Sequence, residues 1–124
     1  MPATTIVIAQ GDPRIAQTLA NDLHAHFARI AVAQSATELR TILLRHQARV
    51  AVLDLELVNL EEVRNLADDF SDLAIVCTHH SPDERMWMAA LNAGAVEFCH
   101  PQDLHSILRA SRTAAQRNQA EFAA

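Results

Sequence analysis

The side chains able to do chemistry fall at a few places, each directly after a short apolar run. Gln10, Gly11 and Asp12 follow Thr5-Ile6-Val7-Ile8-Ala9, and Asp54 and Glu56 follow Val50-Ala51-Val52-Leu53. Thr78, His79 and His80 follow Leu73-Ala74-Ile75-Val76-Cys77, and His100 follows Ala95-Val96-Glu97-Phe98-Cys99. In an open parallel sheet, ligands collect at the carboxyl ends of the strands, so these residues define one candidate edge from which the Asp54 carboxylate emerges. His79, His80 and His100 near Asp54 and Asp12 would mix nitrogen and oxygen donors, a set that suits Zn²⁺ better than Mg²⁺. Against that reading, adjacent histidines on extended chain point apart, and none of the 7 histidines forms an i, i+4 pair on a helix. His24 and His26 are expected on and beside a solvated helix face, while His46 and His105 carry no signal of their own.

Other chemistries lack their residues. Gln10-Gly11-Asp12-Pro13 has one glycine followed by an acid and a proline, which is hostile to a phosphate-binding loop. An Asp-x-His-x-x-Gly pattern for cobalamin is absent. A Ser-His-Asp or Cys-His constellation is not legible, because Cys77 and Cys99 lie within apolar runs and read as small buried hydrophobes. The expectation is a protein that is not an enzyme.

These residues need strands and helices to position them. With Arg29-Ile30-Ala31-Val32-Ala33 the apolar runs number five, and several are apolar at nearly every position, as when both faces of a parallel sheet are covered. Asp12 as N-cap and Pro13 at the first helical position open a helix whose Ile15, Leu19, Leu23 and Phe27 form one stripe. Ser35 and Glu38 make a capping box for a second helix carrying Leu39, Ile42 and Leu43. A third begins after Asn59 and carries Leu60, Val63, Leu66 and Ala67; Glu56, Glu61 and Glu62 read as solvated acids near its positive end. Ser81-Pro82-Asp83-Glu84 is a second capping box for a helix that Gly94 ends, and Asp103 caps a last helix with Leu104, Ile107 and Leu108. Five βα units with right-handed crossovers predict an α/β, three-layer, doubly wound, flavodoxin-like fold with a five-stranded parallel sheet. The domain is expected over residues 1–112, with 113–124 a C-terminal helical extension or linker, since that tail is helix-favouring but lacks an apolar stripe.

Composition narrows the partners. A chain of 124 residues that is half apolar can bury one core. Its 10 basic and 15 acidic residues give a formal charge of -5, which argues against nucleic acid or an anionic membrane as the direct partner. With no basic leader, no apolar stretch near the ~20 residues of a membrane span and no C-x-x-C pair, a cytoplasmic protein with reduced thiols is expected.

Asp54 at the end of the third apolar run, Thr78 in Ile75-Val76-Cys77-Thr78, and Phe98 in Leu91-Asn92-Ala93-Gly94-Ala95-Val96-Glu97-Phe98 together resemble the receiver domains of response regulators in two-component signalling, over about residues 4 to 110. The resemblance implies that Asp54 is the phosphoacceptor position, that Thr78 contacts the phosphoryl group and that Phe98 is the aromatic that rotates on activation. It also implies Mg²⁺ as cofactor and a sensor histidine kinase or other signalling protein as partner. The family's strand-one acidic pair falls on Gln10 and Gly11, and its lysine before a proline falls on His100 before Pro101. The remaining Mg²⁺ donors would be Asp12, Asp54 and the backbone carbonyl of Glu56, a poor set for a hard ion that wants anionic oxygens. Without the metal, charge on a phosphoryl donor goes uncompensated beside Asp54. One residue fewer than usual separates Phe98 from the proline, so strand parity questions whether His100 faces the site. Val58 and Glu62 stand where the loop after Asp54 usually has proline and glycine. The resemblance therefore implies an atypical receiver acting through protein contacts, the alternatives being a competent phosphoacceptor or a small ligand- or metal-binding module of the same layout.

The helix spanning 82–93 is apolar nearly all round. Met88, Leu91 and Trp87 are read as its core face, leaving Met86, Ala89, Ala90 and Ala93 as a spare face for docking or for a homodimer through Pro82–Ala93. Met86, Trp87 and Ala90, with Phe98, are the expected switch and interface residues.

Overall fold

The structure, a computed structural model, describes residues 4–112. The proposed extension at 113–124 lies outside them. In chain order the elements are β1 (Thr5–Ala9), α1 (Pro13–Leu23), β2 (Arg29–Ala33), α2 (Ala36–His46), β3 (Val50–Asp54), α3 (Leu60–Asp69), β4 (Ala74–Thr78), α4 (Glu84–Ala93) and β5 (Glu97–Cys99). A final helix, α5, occupies 104–112. The strands form one parallel sheet in the order β2-β1-β3-β4-β5.

Alternation along the strands divides the core into two layers. Val7, Ala51, Leu53, Ile75, Cys77 and Phe98 pack with Leu39 and Leu43 of α2, Val63 and Leu66 of α3, and Ala90 and Ala93 of α4. Ile6, Ile8, Val50, Val52, Val76 and Cys99 pack on the other side with Leu19 and Leu23 of α1 and Ile107 of α5. Cys77 and Cys99 therefore belong to opposite layers although their strands are neighbours. Burial is the leading cause that pushes both thiols up to about 12, so they behave as the apolar side chains their setting suggests.

Caps set where the helices begin. Asp12 accepts from Arg14 N, Ser35 from Glu38 N and Asn59 from Glu62 N. The opening of α4 differs from the expected capping box. Asp83, not Ser81, is the N-cap and accepts from Met86 N at 2.8 Å, because the amide of Ser81 turns back to His79 Nδ1 and the helix starts only at Glu84. Gly94 ends α4 at φ +118°, and a Cβ there would lie 2.6 Å from the Ala67 Cβ, so α3 and α4 touch where the glycine sits. β5 is shorter than its apolar run, since the Ala95 amide closes the turn onto Ala90 O before the ladder begins.

The faces of α4 are the reverse of the expectation. Ala90 and Ala93 are buried and Met86 packs against the core, whereas Trp87 and Met88 are 44% and 54% exposed. Met86, Ala90 and Ala93 lie on one stripe at i, i+4 and i+7, and only alanines there let the helix approach α3 and β5 this closely. Met86 and Ala90 are thus core residues and no docking face; Trp87 remains at the surface.

Candidate functional site

The sheet order places β1 beside β3, the point where the winding of the chain reverses and a crevice opens at the carboxyl edge. Gln10 leaves β1 there, Asp54 ends β3, and the register Asp54↔Thr78 sets the threonine on β4 next to the aspartate. All three side chains are buried. Asp54 Oδ2 accepts from Thr78 Oγ1 at 3.0 Å and from Gln10 Nε2 at 3.1 Å, and Asp54 Oδ1 accepts from the Glu56 amide at 2.9 Å. The Gln10 amide is oriented from behind, because its Oε1 accepts from Asp12 N at 3.1 Å. Flipping it would set an NH₂ group against an N–H donor and an oxygen against a carboxylate. Among the described residues no buried side-chain nitrogen or oxygen lacks a partner.

A cavity of about 540 Å³ opens over Asp54, lined by Gln10, Gly11, Asp12, Ile15, Asp54, Glu56, Leu57, His80 and Pro101. Among the described residues, three carboxylates line it and no arginine does. Pro101, not His100, occupies the lining contributed by the segment after β5. His100 instead accepts from Gln102 N through Nδ1 at 3.0 Å, within the turn that leads to Asp103. Its expected place at the reacting centre is therefore corrected, and the missing residue between Phe98 and Pro101 is the cause.

The other histidines depart from expectation in the opposite sense. His79 and His80 stack, with ring centroids 4.6 Å apart and planes 22° from parallel, so they face the same way. His80 Nδ1 bonds Glu56 Oε1, and His79 Nε2 lies 4.0 Å from the same oxygen. Alternation ceased to apply because β4 ends at Thr78 and the chain bends at 80–81. Glu56 enters the site through its carboxylate, and His100 does not join the pair.

Solved structures resemble this one over nearly its whole length. A signal receiver domain of an HD domain-containing protein from Pseudomonas fluorescens aligns with TM-score 0.84 at 17% identity, covering 96% of this chain and 99% of that one. A response regulator from Thermotoga maritima aligns with TM-score 0.80 at 19% identity, covering 91% and 98%. The fold is that of response-regulator receiver domains. A response regulator protein from Burkholderia pseudomallei, solved with a phosphorylated aspartic acid, calcium ion and citrate, aligns with TM-score 0.79 at 24% identity and covers 97% of this chain and 73% of its own. No protein-family model matches the sequence, and no curated protein does.

On this receiver fold the donor set does not suit Mg²⁺. The strand-one end presents an amide whose hydrogens point at Asp54 Oδ2, so a cation reaching that oxygen meets N–H dipoles positive end first. Asp12, which also lines the cavity, holds its Oδ1 on the Arg14 amide as helix cap. Among the described residues the His, Cys, Asp and Glu side chains that converge to ion-holding distance are Glu56, His79 and His80, not Asp12 and Asp54. The chain contains no lysine, all 10 basic residues being arginines, so no ammonium replaces the cation after β5. Phe98 is buried in the layer under α4.

The sequence reading missed the role of Gln10. Its signal was an amide at a strand end otherwise rich in carboxylates, but only the Asp12 amide behind it fixes which end of the group meets Asp54.

Proposed function

We propose that this chain is an atypical receiver module of two-component signalling that works through protein contacts, with weak or no Mg²⁺-dependent phosphorylation of Asp54, and that it is a cytoplasmic, non-enzymatic protein. The observation that carries the reading is the closed hydrogen-bond shell of Asp54, in which Gln10 supplies a neutral donor where a phosphoacceptor site needs metal-binding oxygens. A phosphoryl donor brings further negative charge to a cavity already lined by Asp12, Asp54 and Glu56, with no permanent cation among the described lining residues to offset it. A sensor histidine kinase or another signalling protein is the partner this reading favours. The exposed apolar residues Trp87, Met88 and Val96 around α4 and β5 supply the contact surface. Among the described residues, no helix is long and apolar enough to cross a membrane.

A second reading has one specific support: Thr78 Oγ1 already donates to Asp54 at 3.0 Å, an arrangement also suited to a hydroxyl that holds a phosphoryl oxygen. Intact mass spectrometry after incubation with acetyl phosphate and Mg²⁺ separates the two. Unmodified protein is expected; a single added phosphoryl group that disappears in Asp54→Ala establishes the phosphoacceptor instead.

A further inference from the structure

The Asp54 hydrogen-bond shell uses Glu56 through its backbone amide, whereas the Glu56 carboxylate turns to His79 and His80, whose rings have no part in that shell. The three residues come from two loops, after β3 and after β4, and their ligand atoms all lie within 4.8 Å of one another. We propose that these residues form a binding site for a divalent transition metal of the Zn²⁺ class at the rim of the cavity over Asp54.

The donor chemistry selects the ion. Two imidazoles and one carboxylate are borderline nitrogen and hard oxygen ligands, the set used for Zn²⁺ with a fourth, open position, and a poor set for Mg²⁺. The stacking of His79 on His80 removes the usual obstacle for adjacent histidines by turning both rings toward Glu56. A tetrahedral ion with bonds of roughly 2.0–2.2 Å needs ligand atoms about 3.4 Å apart. Glu56 and His80 must separate slightly from their present hydrogen bond, and His79 must close slightly from 4.0 Å. Glu56 and His80 are exposed, so their side chains can make these shifts without disturbing the core.

Proton accounting gives the site a signature. The ion takes the place of the hydrogen bond between His80 Nδ1 and Glu56. His79 Nδ1 accepts from Ser81 N at 3.0 Å, so the neutral ring carries its proton on Nε2, facing Glu56. Metal binding at Nε2 moves that proton through solvent to Nδ1, which can then no longer accept. The Ser81 amide is released, and with it the bend that precedes the Asp83 cap of α4. This inference does not depend on whether Asp54 is phosphorylated.

The test is a titration of the full chain with zinc sulfate at pH 7.5, following bound metal by equilibrium dialysis and the Ser81 amide in ¹⁵N–¹H spectra. One Zn²⁺ per chain is expected, with affinity lowered roughly tenfold or more by His79→Ala, His80→Ala and Glu56→Gln, each checked for folding by circular dichroism. His24→Ala/His26→Ala and His105→Ala should leave it within about twofold, and millimolar Mg²⁺ should not compete. Co²⁺ should bind more weakly than Zn²⁺, and Cu²⁺ more tightly. The proposal is overturned if no stoichiometric binding occurs at 100-fold excess over protein, if folded His80→Ala and Glu56→Gln retain full affinity, or if the Ser81 amide does not move on saturation.

Discussion

Removing the Gln10 amide is the perturbation that most sharply isolates the Asp54 shell. Gln10→Leu keeps a branched side chain, one atom shorter, at a buried position but deletes the donor that lies 3.1 Å from Asp54 Oδ2. A hydrogen bond to a charged, buried acceptor contributes about 1.5–3 kcal/mol when its loss leaves the acceptor short of partners. Here Thr78 and the Glu56 amide still donate, which favours the low end. The Asp12 amide also loses its acceptor, but Asp12 is the exposed N-cap residue of α1, where water can replace the oxygen. Burying a leucine in place of an amide returns part of the loss, so a net destabilisation of about 1–2 kcal/mol is expected. The assay is urea unfolding followed by Trp87 fluorescence and circular dichroism, run as a cycle with Asp54→Ala and with the double variant. In the Asp54→Ala background the charge is gone and Gln10→Leu should cost almost nothing, which makes the coupling energy about 1–2 kcal/mol. An equal cost in both backgrounds would mean that Gln10 fills space rather than holding the carboxylate.

Two further predictions concern the elements that frame the site. Gly94→Ala should lower stability by more than about 1 kcal/mol, since it must hold φ +118° and bring a Cβ to 2.6 Å from Ala67; urea midpoints of the two proteins at constant m-value check it. The side-chain bond from Ser106 and then its backbone amide hold the Asp103 carboxyl below the usual carboxylate range. A depressed folded-state pKa contributes stability above the unfolded value that is lost as pH falls through the folded value. Asp103→Ala should therefore cost about 1 kcal/mol at pH 7 as a lost N-cap, with the gap to wild type shrinking below about pH 4. A gap that persists unchanged at pH 2.5 would contradict the assignment.

Strands were legible because β1, β3 and β4 are buried at every position, and a run with no polar side is recognisable without its partners. Asp54 and Thr78 were legible for the same reason, since each closes such a run and parallel register makes them neighbours. The facing of α4 was not. Large apolar side chains lie on more than one side of α4, so size and hydrophobicity pointed to Trp87 and Met88, whereas the buried face fell to alanines that permit close approach to α3. His79 and His80 were misplaced by carrying strand alternation past Thr78, where the strand has ended. His100 was half legible: the short spacing to Pro101 warned that its direction was wrong, but only the fold puts the proline at the cavity. Gln10 was legible as a lost acid and not as a donor, because that role depends on one rotamer and on a backbone amide two residues away.

The Gln10 amide occupies the face of Asp54 where a metal ion would have to bind. A ¹⁵N–¹H titration with MgCl₂, read at the side-chain amide of Gln10 and the backbone amides of Gly11 and Glu56, tests this. These signals are expected to stay in place up to millimolar Mg²⁺, apart from the uniform drift of rising ionic strength. A saturable shift of the Gln10 side-chain amide together with Glu56, absent in Asp54→Ala, would contradict it.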